Sequence, residues 1–436
     1  MDLSRSNRKR TSRKKKKLLG RSWWILNFSL LTMIILLLSY YWVTEENKAN
    51  SFVYTPTDTT TISQSDDIEE GNKLTDGTSS NLIDEQDSED ERVLDSAATE
   101  VSVEPEIHIE EDESIVVNSD SVLTFNFAGD MMFAGKVEDK LKMKGYDFPF
   151  KYVSKLFQQD DLTIANLESP VTTAGIEASD KQYVFKSSPK ALVALKEAGM
   201  DGVGLANNHI LDQGVSGLLD TLKYLEKSKL QYAGAGKDAD EAYAPTYFTR
   251  QGVKVALIAV SRVVPKSDWH AGKGNPGVAT VYDPTLAIKS IASARMEADI
   301  VIVMAHWGEE RALNPIGNQS ELAHQFVDAG ADLVIGSHPH VLQGLEQYKG
   351  KWIAYSTGNF IFTKSLTETT WKTAIFSTTC TPEGECRIKL IPFHAELGQP
   401  VPMSEEEGQQ LFKDIEELSI GGVRINKEGT VFMPKS

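Results

Sequence analysis

Cysteine is nearly absent from this chain, with two among 436 residues. That excludes a small scaffold stapled by several disulfides, and a cysteine-rich zinc module as well. Surplus positive charge is missing from most of its length. The total is −17, unevenly divided: residues 1–43 carry ten Lys/Arg against one Asp, net +9, and residues 44–120 carry 23 Asp/Glu against three Lys/Arg, net −20. Residues 121–436 are left at −6, so no basic surface remains there to meet phosphates and a general nucleic-acid binder is excluded. There is no GxxxxGK[ST] phosphate loop either, so any ATP-driven step falls to another protein. No sequence repeat of about 20–50 residues is present, which sets aside solenoids and propellers.

One long apolar run is present. Residues 23–43, WWILNFSLLTMIILLLSYYWV, form 21 positions without a charge. At about 1.5 Å per residue they reach roughly 30 Å, the thickness of a bilayer's hydrocarbon core. Trp23 and Trp24 at one end, and Tyr40, Tyr41 and Trp42 at the other, suit the two water–lipid interfaces. The basic cluster in residues 1–22 precedes the run, so the positive-inside rule predicts a cytoplasmic N-terminus, a single span and an extracellular body. A cleaved signal peptide would need a shorter apolar region and a small-x-small site, and SYYWVTEENK offers none. The cluster Arg8–Lys17 also reads as a nucleic-acid patch, but beside a span its orienting and lipid-binding roles account for it. Residues 44–120 are rich in Thr, Ser, Asp and Glu and almost lack aromatics, a composition that predicts a disordered linker. A coil of 77 residues spans roughly 50 Å, enough to lift the body off the membrane.

From residue 121 the texture changes. Short β-branched runs at 122–130, 162–168, 201–209, 253–261, 298–308, 331–340 and 352–360 alternate with helical periods. The helical stretches are 149–159, 188–199, 216–228, 284–298 and 319–330. Strands apolar on both faces, alternating with helices, predict an α/β sheet covered by helices. Five runs end in groups that ligate metal: Asp130, Glu168, the pair Asn208–His209, His306, and His338 with His340. The carboxyl edge of such strands is where ligands bind. Each ending alone has a plainer reading: Asp130 in a turn, Glu168 before the strand-closing Pro170, Asn208 in left-handed geometry, His306 in a hydrogen-bonded core. Jointly they predict one crevice holding two carboxylates, an amide and four imidazoles. That mixture suits Mn, Fe or Zn rather than an all-oxygen calcium cage. His108, His270, His324 and His394 receive no role.

The motifs AGDMM (128–132), NLESPV (166–171), ANNHILDQG (206–214), AHWGEE (305–310), GSHPHVLQG (336–344) and YSTGNFIF (355–362) closely resemble the CapA family, the bacterial poly-γ-glutamate capsule synthesis proteins. The resemblance covers about residues 121–396. That family is similar in turn to the calcineurin-like metallophosphoesterases, which implies a four-layer α/β/β/α metallophosphatase-like sandwich with a two-metal centre. By position it implies metal ligation by Asp130, bridging Glu168, Asn208, His306, His338 and His340, with His209 assisting catalysis at the leaving group. One departure stands out: Met132 occupies a place where the superfamily has a ligating His, which implies that one of the two metals is weak, absent or held differently. The resemblance further implies a membrane-bound role in polymer synthesis or export beside other synthase subunits, with the anionic polymer as ligand. A metal-dependent phosphoesterase or amide hydrolase at the cell surface, and a non-catalytic polymer-binding scaffold, stay open as alternatives.

Cys380 and Cys386 bracket TPEGE between two strand-like runs, a spacing that fits a hairpin closed by a disulfide, with two free thiols as the alternative. Within residues 397–436, the stretch 404–418 reads as a Ser-capped amphipathic helix and the tail as a strand or hairpin, packed on the body.

Overall fold

The computed structural model describes residues 122–435 apart from Asp180. The basic segment, the apolar run 23–43 and the acidic stretch 44–120 lie outside the described residues. Among the described residues no helix is long and apolar enough to cross a membrane.

Two mixed sheets carry the structure. In the first, β1 (Leu123–Met131), β2 (Leu162–Leu167), β3 (Gly202–Gly204) and β4 (Gln231–Ala233) run parallel. On the other side of β1 the strands β14 (Lys372–Cys380), β15 (Cys386–Glu396) and β16 (Gln399–Pro402) continue it antiparallel, while β13 (Asn359–Ile361) adds alongside the end of β1. The second sheet has the order β11 (Leu345–Tyr348), β12 (Lys351–Ala354), β10 (Leu333–Ser337), β9 (Ile300–His306), β7 (Val253–Ser261), β6 (Thr246–Arg250). Its four central strands are parallel. Two small pairs complete the set: β5 (Ala235–Gly236) with β8 (Gly277–Val278), and β17 (Arg424–Ile425) with β18 (Val431–Phe432).

The period-two alternation of the strands sorts side chains into layers. Leu123, Phe125 and Phe127 of β1 meet Val255 and Leu257 of β7, Ile300 and Ile302 of β9, and Leu333 and Ile335 of β10 between the sheets. The opposite face of the second sheet, with Ile258, Val301, Val303 and Val334, packs on Ile291 of the helix Thr285–Arg295 and Phe326 of the helix Gly317–Ala329. The outer face of the first sheet lies under Leu192 and Leu195 of the helix Lys190–Glu197 and Leu218, Leu222 and Leu225 of the helix Gly214–Lys227. The order of layers is therefore helix, sheet, sheet, helix.

Two stretches depart from the sequence expectation. Residues 149–159 do not form one helix but a 3-10 turn at Phe148–Phe150 and a single turn at Ser154–Phe157. Pro149 sits in the first turn, and Val153 leaves helical geometry at φ −121°, so the buried Phe150, Val153 and Phe157 come from two short pieces. Residues 352–360 are not one strand either. β12 belongs to the second sheet and β13 to the first, and Tyr355–Gly358 crosses between them. The five ligand-bearing strand ends accordingly come from two facing sheets rather than from one open sheet.

That crossing fastens the sheets together at their carboxyl edges. Asp130 N donates to Gly358 O (2.9 Å), Thr357 N to Gly336 O (3.1 Å), and Trp307 Nε1 to Tyr355 O (2.9 Å). Only glycine fits beside it: a Cβ on Gly129 would lie 2.0 Å from Gly358 O, and one on Gly336 would lie 2.0 Å from Tyr355 O.

Cys380 and Cys386 are opposite one another in the β14–β15 hairpin and form a disulfide (S–S 2.04 Å). The helix Glu405–Leu418 is opened by a capping box between Ser404 and Glu407 and sends Leu411, Phe412 and Ile415 into the core between the sheets. The C-terminal segment is thus part of the same folded body.

Gly336→Ala forces two strands and a buried Trp307 apart and should cost about 3 kcal/mol or more, read as a lowered urea midpoint; an unchanged midpoint would contradict the close approach.

Candidate metal centre

The carboxyl ends of β1, β2, β9 and β10 deliver their polar residues to one point between the sheets. The β1–β2 register slips between Ala128 and Asp130, and this irregularity ends the regular alternation just where Asp130 begins. Asp130 and Glu168 are both fully buried. Asn166 Nδ2 donates to Asp130 Oδ1 at 2.8 Å and to Glu168 Oε2 at 3.3 Å, holding the two carboxylates side by side. From the second sheet, His306 ends β9, and His338 and His340 follow β10. Both of these take positive φ (94° and 57°), an unusual backbone for a side-chain-bearing residue that costs of order 1–3 kcal/mol. Such strain persists where the surroundings dictate it, and here it turns two imidazoles inward.

Two groups of candidate ligands share Glu168. One is Glu168, His306 and His338; the other is Asp130, Glu168 and His340; in each, the ligating atoms lie within 4.8 Å of one another. Asn208 joins the first group, its Oδ1 lying 3.0 Å from His306 Nε2. His209 stands beside the groups rather than in them, with Nδ1 2.8 Å from Asp212 Oδ2. Six of the seven residues expected from the sequence therefore converge, and His209 stays outside the two groups. Met132 is buried and its backbone N donates to Ile361 O (2.7 Å).

Two polar atoms in this centre, Glu168 Oε1 and His338 Nδ1, are buried without any hydrogen-bond partner. A buried acceptor without a hydrogen bond costs about 1–3 kcal/mol, and the His340 ring, 3.7 Å from Glu168 Oε1, answers only one of the two by charge. Carboxylate, amide and imidazole donors around shared Glu168 fit a divalent cation.

Residues 124–364 match the family described as bacterial capsule synthesis protein PGA_cap. The chain belongs to that family. It is 35% identical over 294 residues to the PGA biosynthesis protein CapA of Bacillus subtilis, covering 67% of this chain and 77% of that protein. It is 33% identical over 289 residues to the capsule biosynthesis protein CapA of Bacillus anthracis, covering 65% and 70% respectively. Among solved structures, Haemophilus influenzae NAD nucleotidase aligns over 68% of this chain and 63% of its own at 13% identity, with a TM-score of 0.39. At that score the likeness says nothing further about this chain. The seven site residues fall inside the matched segment, whereas the disulfide and the C-terminal helix lie beyond it.

The electrostatics follow from burial. Desolvation, reinforced by the charge of Asp130, lifts Glu168 well above the usual carboxylate range. Desolvation and neighbouring imidazoles push His306 well below its ordinary value and His338 down to about 3. Burial would lower His340 too, but Glu168 and Asp130 outweigh it and hold that imidazole up at about 9. Without metal, then, His340 is the cation between two carboxylates (3.3 Å from Asp130 Oδ2, 3.7 Å from Glu168 Oε1), while His306 and His338 are neutral, the form that ligates.

Several participants were not among the expected ligands. Ser337 Oγ lies 3.0 Å from His306 Nδ1, and Asn359 Oδ1 lies 3.0 Å from His340 Nδ1, each fixing one ring. Asn207 Nδ2 donates to Asn166 Oδ1 (3.1 Å). Asn166, Asn207, Ser337 and Asn359 all lie inside the six motifs, and the first three are one residue or two from a candidate ligand, so their signal was proximity. Lys181, which contacts His209, had no signal at all.

Since His340 holds a proton up to about pH 9 and a ligating imidazole must release it, metal binding at pH 7 should expel that proton and apparent affinity should rise with pH toward 9. Calorimetric titration with Mn²⁺ in buffers of different ionisation enthalpy checks this. Binding with no buffer dependence would contradict it. Asn359→Ala should weaken the metal about 10–100-fold in the same experiment.

Proposed function

We propose that this chain is a membrane-anchored component of capsular poly-γ-glutamate synthesis and export, with its folded body outside the cell and a divalent metal centre that acts on the emerging polymer. The relatives named above support the polymer, since both are described as biosynthesis proteins for PGA or capsule. The single observation that carries the chemistry is the convergence of Asp130, Glu168, Asn208, His306, His338 and His340 around Glu168 Oε1, which has no hydrogen bond. The arrangement of helix, sheet, sheet and helix, with candidate ligands at the facing strand ends, supports reading the body as a metallophosphatase-like sandwich.

Asp130, Glu168 and His340 would hold one cation, and Glu168, Asn208, His306 and His338 the other, the first being the weaker because Met132 supplies no hard donor. A bound ion supplies electrophilic charge and a lowered water pKa. The chain's own residues do the rest. Asn166 and Ser337 fix the ring of His306, Asn359 fixes His340, and His209 stands beside both groups as a donor to charge developing on a leaving group. Synthesis of the polymer needs an energy source outside this chain, so synthase partners in the same membrane are part of the reading. The apolar run 23–43 would be the anchor and residues 44–120 the spacer.

The test is His338→Ala and Glu168→Gln in a capsule-forming host, with membrane attachment and protein level followed in parallel. The expected outcome is loss of polymer at the cell surface with the protein still present and anchored. The purified protein should carry metal and cleave γ-glutamyl amides in preference to phosphoesters. Unchanged capsule in both variants would show that the centre is not what the body contributes, and turnover of phosphoesters alone would favour a surface phosphoesterase.

A further inference from the structure

β7 ends at Ser261, in register with His306 of β9, and the next residue is tied to the same place: Arg262 N donates to His306 O (2.8 Å). A returning segment brackets this point. Ser261 N donates to Ala279 O (2.9 Å) and Val281 N to Ser261 O (2.9 Å), which brings Tyr282 beside Arg262. Tyr282 is 45% exposed, yet its ring is fixed at both ends. Val264 N donates to its hydroxyl (3.0 Å), the hydroxyl donates to Val264 O (3.3 Å), and the His270 ring stacks on it at 5.3 Å between centroids.

The half-buried Arg262 lies over this ring, with its guanidinium carbon 4.2 Å from the ring centre. The ring answers the charge, but the five N–H donors of the guanidinium stay without a hydrogen-bond acceptor among the described residues. Arg250, Arg295 and Arg424, by contrast, each end on a carboxylate. Nearby charges are already committed. Asp283 Oδ1 accepts from Thr285 N (3.0 Å) and Thr285 Oγ1 (2.6 Å), and Lys266 Nζ donates to Ser179 O. What is left is a fork of charged donors, held on a rigid aromatic ring and anchored to the backbone of a candidate metal ligand. Such a fork matches a carboxylate, which takes two parallel N–H bonds from it.

We infer that Arg262, held against Tyr282, is a substrate-binding residue that takes a free carboxylate of the polymer beside the metal centre. This rests on the reading above, that the centre acts on a γ-linked glutamate chain. In such a chain the amides run through the side-chain carboxyls, so every unit keeps its α-carboxylate free. An amide that reaches the metal centre therefore brings a carboxylate with it, and Arg262 is the cation placed to receive it. The residue thereby selects an anionic chain over a neutral peptide.

Calorimetric titration of the full chain with a synthetic γ-linked glutamate tetramer tests this, with a chelator present so that no cation competes for the carboxylates. The control is the same tetramer with its carboxylates converted to carboxamides. The native protein should bind the acid at least about tenfold more tightly than the amide. Arg262→Gln should weaken the acid about 10–100-fold and leave the amide little changed, and Arg262→Lys, which keeps the charge without the fork, should fall between. In parallel, the Arg262 Nε–Hε resonance, assigned with Arg262→Lys, should shift with the acid tetramer and stay in place with the amide. Equal binding of the two tetramers, binding of neither, or native affinity in Arg262→Gln overturns the inference. An unmoved resonance overturns it whether or not the glutamine variant folds. Acid still preferred in Arg262→Gln removes the role of this residue and leaves the polymer reading standing, which the capsule result for His338→Ala and Glu168→Gln decides separately.

Discussion

Two carboxylates, Asp130 and Glu168, are buried together at 0% exposure, and the rest of this centre is organised by that fact. Removing each charge from water costs several kcal/mol unless a positive group answers it. From the chain's own groups the answer is partial. His340 supplies one positive charge, Asn166 supplies hydrogen bonds, and Glu168 Oε1 is left without a hydrogen bond. A divalent ion would supply what is lacking, and burial keeps His306 and His338 in the neutral form that could hold it. The same burial that destabilises the carboxylates is what depresses those imidazoles, so one cause prepares both halves of the ligand set.

Holding such a centre needs a rigid frame, and the frame is the crossing Tyr355–Gly358. It pairs with Gly129–Asp130 on one sheet and with Gly336 on the other, at distances that exclude any Cβ. Ligands from two sheets are thus referenced to one backbone segment rather than to the softer apolar packing between the sheets. The positive φ of His338 and His340 is sustained by the same frame, with His338 N donating to Asp130 Oδ2 (3.3 Å) and Asn359 Nδ2 to His340 O (3.3 Å). Sequence, fold and site meet in a few glycines and one turn.

Much of this was legible in the chain itself. The run 253–261 coincides with β7, because a strand buried on both faces leaves an unbroken apolar signature. The convergence of the candidate ligands was legible because each ends such a run, where a polar residue has no packing reason to be. What escaped had physical grounds. The stretch 352–360 reads as one strand, since apolar texture does not say which sheet a residue joins, and Gly358 allows the switch. Residues 149–159 carry a helical spacing of apolar groups that two short turns satisfy equally well. Lys181 sits in a loop with no period, and its contact with His209 exists only once both loops are folded against one another.

The most direct measurement is anomalous X-ray scattering at the absorption edge of Mn or Zn from crystals of the metal-loaded protein. The account expects a strong peak in contact with Glu168, His306 and His338, a weaker second one between Asp130 and His340, and the His340–Glu168 ion pair dissolved. Crystals that give no anomalous density there, with His340 still paired to both carboxylates after prolonged exposure to the metal, would contradict it.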